Sequence, residues 1–461
     1  MRTFLVVLAC WFLSVVRLDA EERWFVGTLA DQPMASLHQV ERALPEGGHE
    51  CVTTTLLAIR RSLPGQPELR LEIRETQIFA EDTAGSLRSF HFDHDENGTV
   101  VTAEGVIADG RVSGTIARLG RTTPIAIPLT HGVTLLGDRA AQMAMIATDL
   151  APGATTSFAS LALLNGQVVV VTNAVTGRGV QDGERLFDVV PDVMPLPMRL
   201  RLSSSGELRQ MSMNLGVMVL ELRPAAGPVA LLGAEVPPTG LVKARGPALR
   251  LDVPNRLRLP PGPAVPLNPF QHEADGIITL QSSPTAEVLS EQRHAELLQP
   301  GAQLELDDPA LRKWVSAQLD PSAASASERA ERLRLAVRSH ITTKDLSKGD
   351  ASALETFRTR TGDCTEHATL LCAALRIAGI PARIEVGLIY APDYGGWVGH
   401  AWNSAYVDDH WIHLDSAYPG IPRSCYLCLG FPEKVQTGAT MLVQLNRFMG
   451  QTLETLPFRQ P

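Results

Sequence analysis

The chain has 461 residues, 44% of them apolar and 20% charged, which is ordinary globular composition and enough for two or three domains. A formal net charge of −9, with no basic run, excludes a general binder of nucleic acid or of anionic membrane surfaces. Six cysteines in a chain of this length are too few for a disulfide scaffold.

Residues 1–20 carry Arg2, the apolar run "TFLVVLACWFLSVV" and a small residue at Ala20. This pattern predicts a signal peptide cut before Glu21. The mature chain is then exported (periplasmic or secreted), with no membrane span after signal removal. Cleavage leaves Cys51, Cys364, Cys372, Cys425 and Cys428. An odd count outside the cytoplasm implies at least one free thiol.

Residues 21–235 read as an antiparallel β domain. Alternating or β-branched runs are broken by Asn97-Gly98, Asp109-Gly110 and Asn165-Gly166, pairs that supply the positive φ of two-residue hairpins. A further hairpin turns near Ser205-Gly206. Asp93 to Glu104 also fits the spacing of a calcium loop, but its flanks read as strands where that loop needs helices. Residues 236–300 are rich in proline and read as a linker with short β pieces.

From 301 to 461 the pattern becomes α+β. "DPALRKWVSAQLD" and "SERAERLRLAVRSHI" carry apolar residues at helical spacing, and "GDASALETFRTRTG" predicts a short third helix. "GDCTEHATLLCAALRIAGIP" follows. Asp363 and Glu366 fit a capping box, Gly379 a C′ position, and Pro381 a stop. The helix is apolar nearly all round, as a buried helix is. Cys364 stands at its polar mouth, where unpaired N–H groups favour a thiolate and can receive an oxyanion. Asp363 and Glu366 oppose the thiolate, so a histidine is needed nearby.

"GHAWNSAYVDDHWIHLDSAY" supplies one. If Asp408-Asp409 form a two-residue turn, His400 and Asp415 share one face of a hairpin as diagonal neighbours. A three-residue turn would separate them. The expected roles are Cys364 as nucleophile, His400 as base and Asp415 as orienting acid. His367 and His413 read as packed polar residues, and Trp402 as either a cleft wall or a core ring. All five tyrosines and three of six tryptophans fall between 390 and 426. His410, His413, Cys425 and Cys428 have zinc-like spacing, but a local Cys425–Cys428 disulfide or simple packing explains the cysteines better. No cofactor and no metal is expected.

Together, "RTGDCTEHATLLCAALRIAGIPAR…GHAW…W…LD" resembles the transglutaminase-like superfamily. The resemblance implies a papain-like core, with a buried central helix packed on an antiparallel sheet, and acyl transfer through a thioester. It assigns Cys364, His400 and Asp415 to the catalytic positions. It implies a protein or peptide substrate, and leaves open protease or amidase action, amine cross-linking, or a catalytically silent binding module.

Overall fold

In the computed structural model, residues 21–457 are described apart from 30, 62–68, 119, 149, 165, 194–195, 215–218, 232, 236–241, 251–252, 261–263, 302, 320–324, 345–350, 393–394, 419, 433–443, 446–447 and 449–450. The signal-peptide expectation for 1–20, and Asn165 of one expected hairpin turn, lie outside the described residues. The chain divides into two compact units, Met1–Pro237 and Pro238–Pro461.

The first unit is built on one antiparallel sheet. Its strands are β1 (Glu21–Leu29), β2 (Gln32–Ala43), β3 (His49–Arg61), β4 (Leu69–Glu81), β5 (Leu87–Glu96), β6 (Thr99–Ala108), β7 (Arg111–Arg118), β8 (Arg121–Pro128), β9 (Thr155–Leu164), β10 (Gln167–Gln181), β11 (Glu184–Pro191), β12 (Met198–Leu202), β13 (Leu208–Asn214) and β14 (Val219–Ala225). Sequential neighbours pair from β1 to β8 and from β9 to β14, and β1 closes onto β14, so the edges are β8 and β9. Phe79, Phe92, Val112 and Ile125 from the β4–β8 side share one core with Leu161, Leu163 and Val168 from β9–β10. The sheet is therefore curled, with its two ends packed on a common interior. A short strand, β15 (Ala234–Glu235), adds to β3 in parallel.

The expected turn chemistry is in place. Asn97 and Asp109 have φ of 46° and 50°, each followed by a positive-φ glycine. Asp93–Glu104 is a hairpin, with Glu96 paired to Thr99, and Asp95 accepts from the Gly98 N–H at 2.7 Å. Its side chains alternate between faces, so its carboxylates do not converge as calcium ligands do. Helix α1 (Asp138–Ala147) interrupts the expected all-β region.

The second unit holds a mixed sheet ordered β18-β19-β17-β26-β16-β23-β22-β25, with β24 on β23. Its strands are β16 (Val242–Arg245), β17 (Asn255–Arg258), β18 (Gln271–Ala274), β19 (Ile277–Leu280), β22 (Ala382–Ala391), β23 (Gly396–Val407), β24 (His410–Leu414), β25 (Tyr426–Gly430) and β26 (Thr452–Leu456). The short β pieces of the Pro-rich segment are thus strands of this sheet. A separate parallel pair joins β20 (Thr343–Lys344) to β21 (Thr361–Gly362).

Five helices belong to this unit among the described residues: α2 (Glu291–Glu296), α3 (Pro309–Gln318), α4 (Ala326–His340), α5 (Ala353–Thr359) and α6 (Cys364–Ile377). Helix α6 packs on β22 and β23 on one side and on α3, α4 and α5 on the other. Its residues from Ala368 to Leu375 are buried. Leu370, Leu371 and Leu375 are wholly buried, and each such side chain contributes roughly 1.5–3 kcal/mol. The Asp363/Glu366 capping box is formed. At the other end Gly379, φ 75°, lets the Ile380 N–H reach Leu375 O at 2.9 Å, a Schellman-type closure. No helix among the described residues is long and apolar enough to cross a membrane.

Candidate active site

Cys364 is the first residue of α6 and is half-buried against the main core, whereas Cys372, two turns deeper, is fully buried. The start of α6 is anchored through Glu366, which is buried. Its Oε2 accepts from the Asp363 N–H at 2.8 Å and its Oε1 from the Ala351 N–H at 3.0 Å. The approach requires Gly362, because a Cβ there would collide with the Glu366 Cβ.

The hairpin that presents His400 and Asp415 has the even turn. Val407 pairs with His410, and Asp408 and Asp409 have φ of 49° and 62°. This is the double left-handed conformation of a type I′ turn, which carries the right-handed strand twist across the connection. The register runs back to Asn403 opposite Leu414, so Asp415 emerges just past the strand on the His400 side. His400 Nε2 lies 2.7 Å from Asp415 Oδ2, and both side chains are buried. The backbone N–H of Ala401, the residue after His400, acts on the Cys364 thiol and favours its anion. The three residues singled out in the sequence are therefore assembled at one place, the mouth of α6 against β23.

Asp415 is fully engaged. Its Oδ1 accepts from the Ala417 and Tyr418 N–H groups, each at 2.8 Å, and its Oδ2 also accepts from the Tyr426 hydroxyl at 2.8 Å. Its carbonyl accepts from Arg334 of α4 at 3.1 Å. Burial alone would raise its pKa, but His400 as charge and donor, with the Tyr418 N–H, outweighs burial and holds it at about 2. The Cys364 thiol is held well above its ordinary value. Burial is the main cause, the charges of Asp363, Glu366 and Asp415 add to it, and the Ala401 N–H pulls the other way. The helix N-terminus thus does not by itself yield a thiolate at rest.

The surrounding residues are chiefly structural. His367 meets Ser416 Oγ at 3.3 Å, and burial pushes it down to about 4, which leaves it neutral near neutral pH. His413 packs edge-on to Tyr426 with ring centroids 4.4 Å apart, and burial followed by Arg423 pushes it to about 3. Trp402 is a buried ring lying over His400, with its indole N–H donating to Glu385 at 3.0 Å. Glu385 is wholly buried and compensated by Arg383 and Arg423, each at 3.1 Å, and by Ser404 at 2.7 Å. Tyr418 is the exposed ring, 38% accessible, set edge-on to His400. The aromatic concentration between 390 and 426 is thus mostly core, and Tyr394 lies outside the described residues.

The zinc-like spacing does not become a site. His410 bonds the Asp408 carbonyl at an exposed turn, and Cys425 and Cys428 are buried free thiols in a cluster with Ile389, Trp402 and Tyr426. No group of three potential metal ligands occurs among the described residues. A surface groove of about 470 Å³, lined by Trp314, Leu335, His340 and Arg360 among others, includes none of Cys364, His400 and Asp415. Sequence reading missed Tyr426, Arg334 and Glu385, whose roles depend on nonlocal packing.

Residues 313–416 match the model of the transglutaminase-like superfamily, and that segment contains Cys364, His400 and Asp415. The chain therefore carries a transglutaminase-like core. No curated protein matches it. Among solved structures it is similar to a β-barrel-like domain of unknown function from Brucella abortus, at 15% identity and TM-score 0.33, covering 47% of this chain and 100% of that one. It is also similar to the periplasmic domain of TgpA from Pseudomonas aeruginosa bound to ethylmercury, at 17% identity and TM-score 0.25, covering 41% and 78%.

Proposed function

We propose that the protein is an exported, cysteine-dependent acyl-transfer enzyme with a papain-like arrangement of helix α6 on its sheet. Cys364 is the nucleophile, His400 the base and Asp415 the residue that orients and stabilises the imidazole. The observation that carries this reading is the 2.7 Å His400–Asp415 bond on the strand against which the helix that begins at Cys364 packs. A raised thiol pKa means that the proton leaves during attack, not before it. The thiol proton passes to His400 as sulfur bonds the carbonyl carbon of a peptide or carboxamide. Backbone N–H groups at the start of α6 stabilise the oxyanion. The carbon–nitrogen bond then breaks, and ammonia or an amine leaves with the proton from His400. Water or a second amine resolves the thioester, giving hydrolysis or cross-linking respectively. Export rests on the signal-like residues 1–20.

A catalytically silent module is favoured by one observation, that burial, with three carboxylates adding to it, keeps the Cys364 thiol protonated. Alkylation of the folded protein with iodoacetamide near pH 7 separates the two readings. The enzyme reading expects labelling of Cys364 ahead of the four buried or distant thiols, reduced at least about tenfold in His400→Ala. An inert Cys364, or one indifferent to His400→Ala, favours the silent module.

A further inference from the structure

Behind Asp415 stands a wall that the family match does not reach. The match ends at 416, whereas Tyr426 opens β25, preceded by the single 3-10 turn Arg423–Cys425. Strand β25 lies against β22, and Gly387, the β22 residue paired with both His400 and Cys428, permits this, because a Cβ there would collide with the Leu427 carbonyl. The result is a wholly buried tyrosine whose hydroxyl donates to Asp415 Oδ2, the same oxygen that receives His400 Nε2.

The two oxygens of Asp415 therefore do different work. Oδ1 is gripped by two backbone N–H groups, which fix where the carboxylate points. Oδ2 is shared between His400 and Tyr426. A second donor on one oxygen draws charge from it and weakens what it offers the first. We propose that Tyr426 is a positioning residue that sets the strength of the Asp415–His400 bond, and with it the pH range in which His400 accepts the Cys364 proton. The catalytic part of this statement rests on the reading of Cys364 and His400 given above.

Tyr426 is held in place for the task. Its ring packs edge-on against Trp402 at 5.0 Å and His413 at 4.4 Å, and the Arg423 guanidinium, which is paired with Glu385, lies 5.8 Å from it. Burial keeps its hydroxyl protonated, and the Asp415 charge adds to this. The other charged or titratable groups that act on Asp415 are Arg334 from α4, Cys364 and His367 from α6, and His413 from β24. None of these four donates to Oδ2, as the Tyr426 hydroxyl does.

Tyr426→Phe removes the donor and keeps the ring. Two readouts are taken on the full chain. The first is the low-field proton resonance of the His400 Nε2–H, identified by its loss in Asp415→Asn. It moves downfield in Tyr426→Phe, because the remaining bond strengthens. The second is the pH of half-maximal Cys364 alkylation by iodoacetamide, which rises by about half to one pH unit, the worth of one hydrogen bond. Cys425→Ala, in the same buried cluster without touching Asp415, moves neither. Should Tyr426→Phe fail to fold, 3,5-difluorotyrosine at 426 keeps the volume, strengthens donation and moves both readouts the opposite way. An unmoved resonance overturns the proposal. A moved resonance with no alkylation of Cys364 even in the parent protein upholds Tyr426 and overturns the enzyme reading instead.

Discussion

Asp415 accepts four hydrogen bonds on two oxygens, so no orientation of an amide can replace it. Asn places an N–H₂ against donors on one side or the other. Asp415→Asn is expected to slow Cys364 alkylation on the order of a hundredfold or more. It is also expected to cost about 2 kcal/mol of stability, read from denaturant unfolding. The native carboxyl, held at about 2, contributes stability that is complete above the ordinary carboxylate value and lost as pH falls through 2. Glu385 is the second residue at which one change has a large effect. It is wholly buried between two arginines, so Glu385→Gln leaves uncompensated buried charge. A loss of about 3–5 kcal/mol is expected in thermal or denaturant unfolding, with Trp402 and the His400 face displaced.

The hairpin of β23 and β24 is the element that places His400 beside Asp415. Inserting one glycine between Asp408 and Asp409 lengthens the turn to three residues, and the residues beyond it move to the opposite face. The inserted variant is expected to keep its overall circular dichroism and lose the His400–Asp415 proton resonance and His400-dependent alkylation. An unchanged resonance would mean that the register is set elsewhere. This hairpin and the capped helix were legible in the sequence because both are local. A capping box spans four residues, and alternation plus a two-residue turn fixes which side chains share a face. The short β pieces between 242 and 280 were legible as such, but not their membership of the main sheet, nor the strand at 452–456, because runs of four or five residues carry no periodicity that says which sheet receives them. Helix α1 escaped for a related reason. Its N-cap is Gly137 with no side-chain cap, and it buries Asp138 and Gln142 beside Ala141 and Met145, so neither the start signal nor an apolar stripe is present. Tyr426 was unreadable because its partner is chosen by the packing of β25.

At the scale of the whole molecule, the two units respond to pH through different groups. In the first, burial lifts Glu81 to about 7, and the charge of Glu41 adds to it. Burial would lower His94, but Glu75 at 2.9 Å, with Glu96, outweighs it and lifts it to about 9. Both groups hold protons more tightly folded than unfolded. The Glu81 contribution is lost as pH rises from its unfolded value toward 7, and that of His94 is lost as pH rises through 9. The first unit is therefore expected to lose stability from pH 5 to 9, by about 3 kcal/mol from Glu81 alone. Glu81→Gln is expected to flatten the lower half of that decline in calorimetric midpoints, and an unaltered slope would contradict the assignment. Asp415 in the second unit stays ionised across this range. The central claim, that Cys364 forms a thioester with help from His400, is tested most directly by trapping it. The folded protein is mixed with a library of peptides and peptide carboxamides, quenched in acid and mapped by mass spectrometry. An acyl adduct is expected on Cys364 that hydroxylamine releases, absent in Cys364→Ala and not formed in His400→Ala. Product release that persists undiminished in Cys364→Ala, or no adduct on Cys364 with any member of the library, would contradict it.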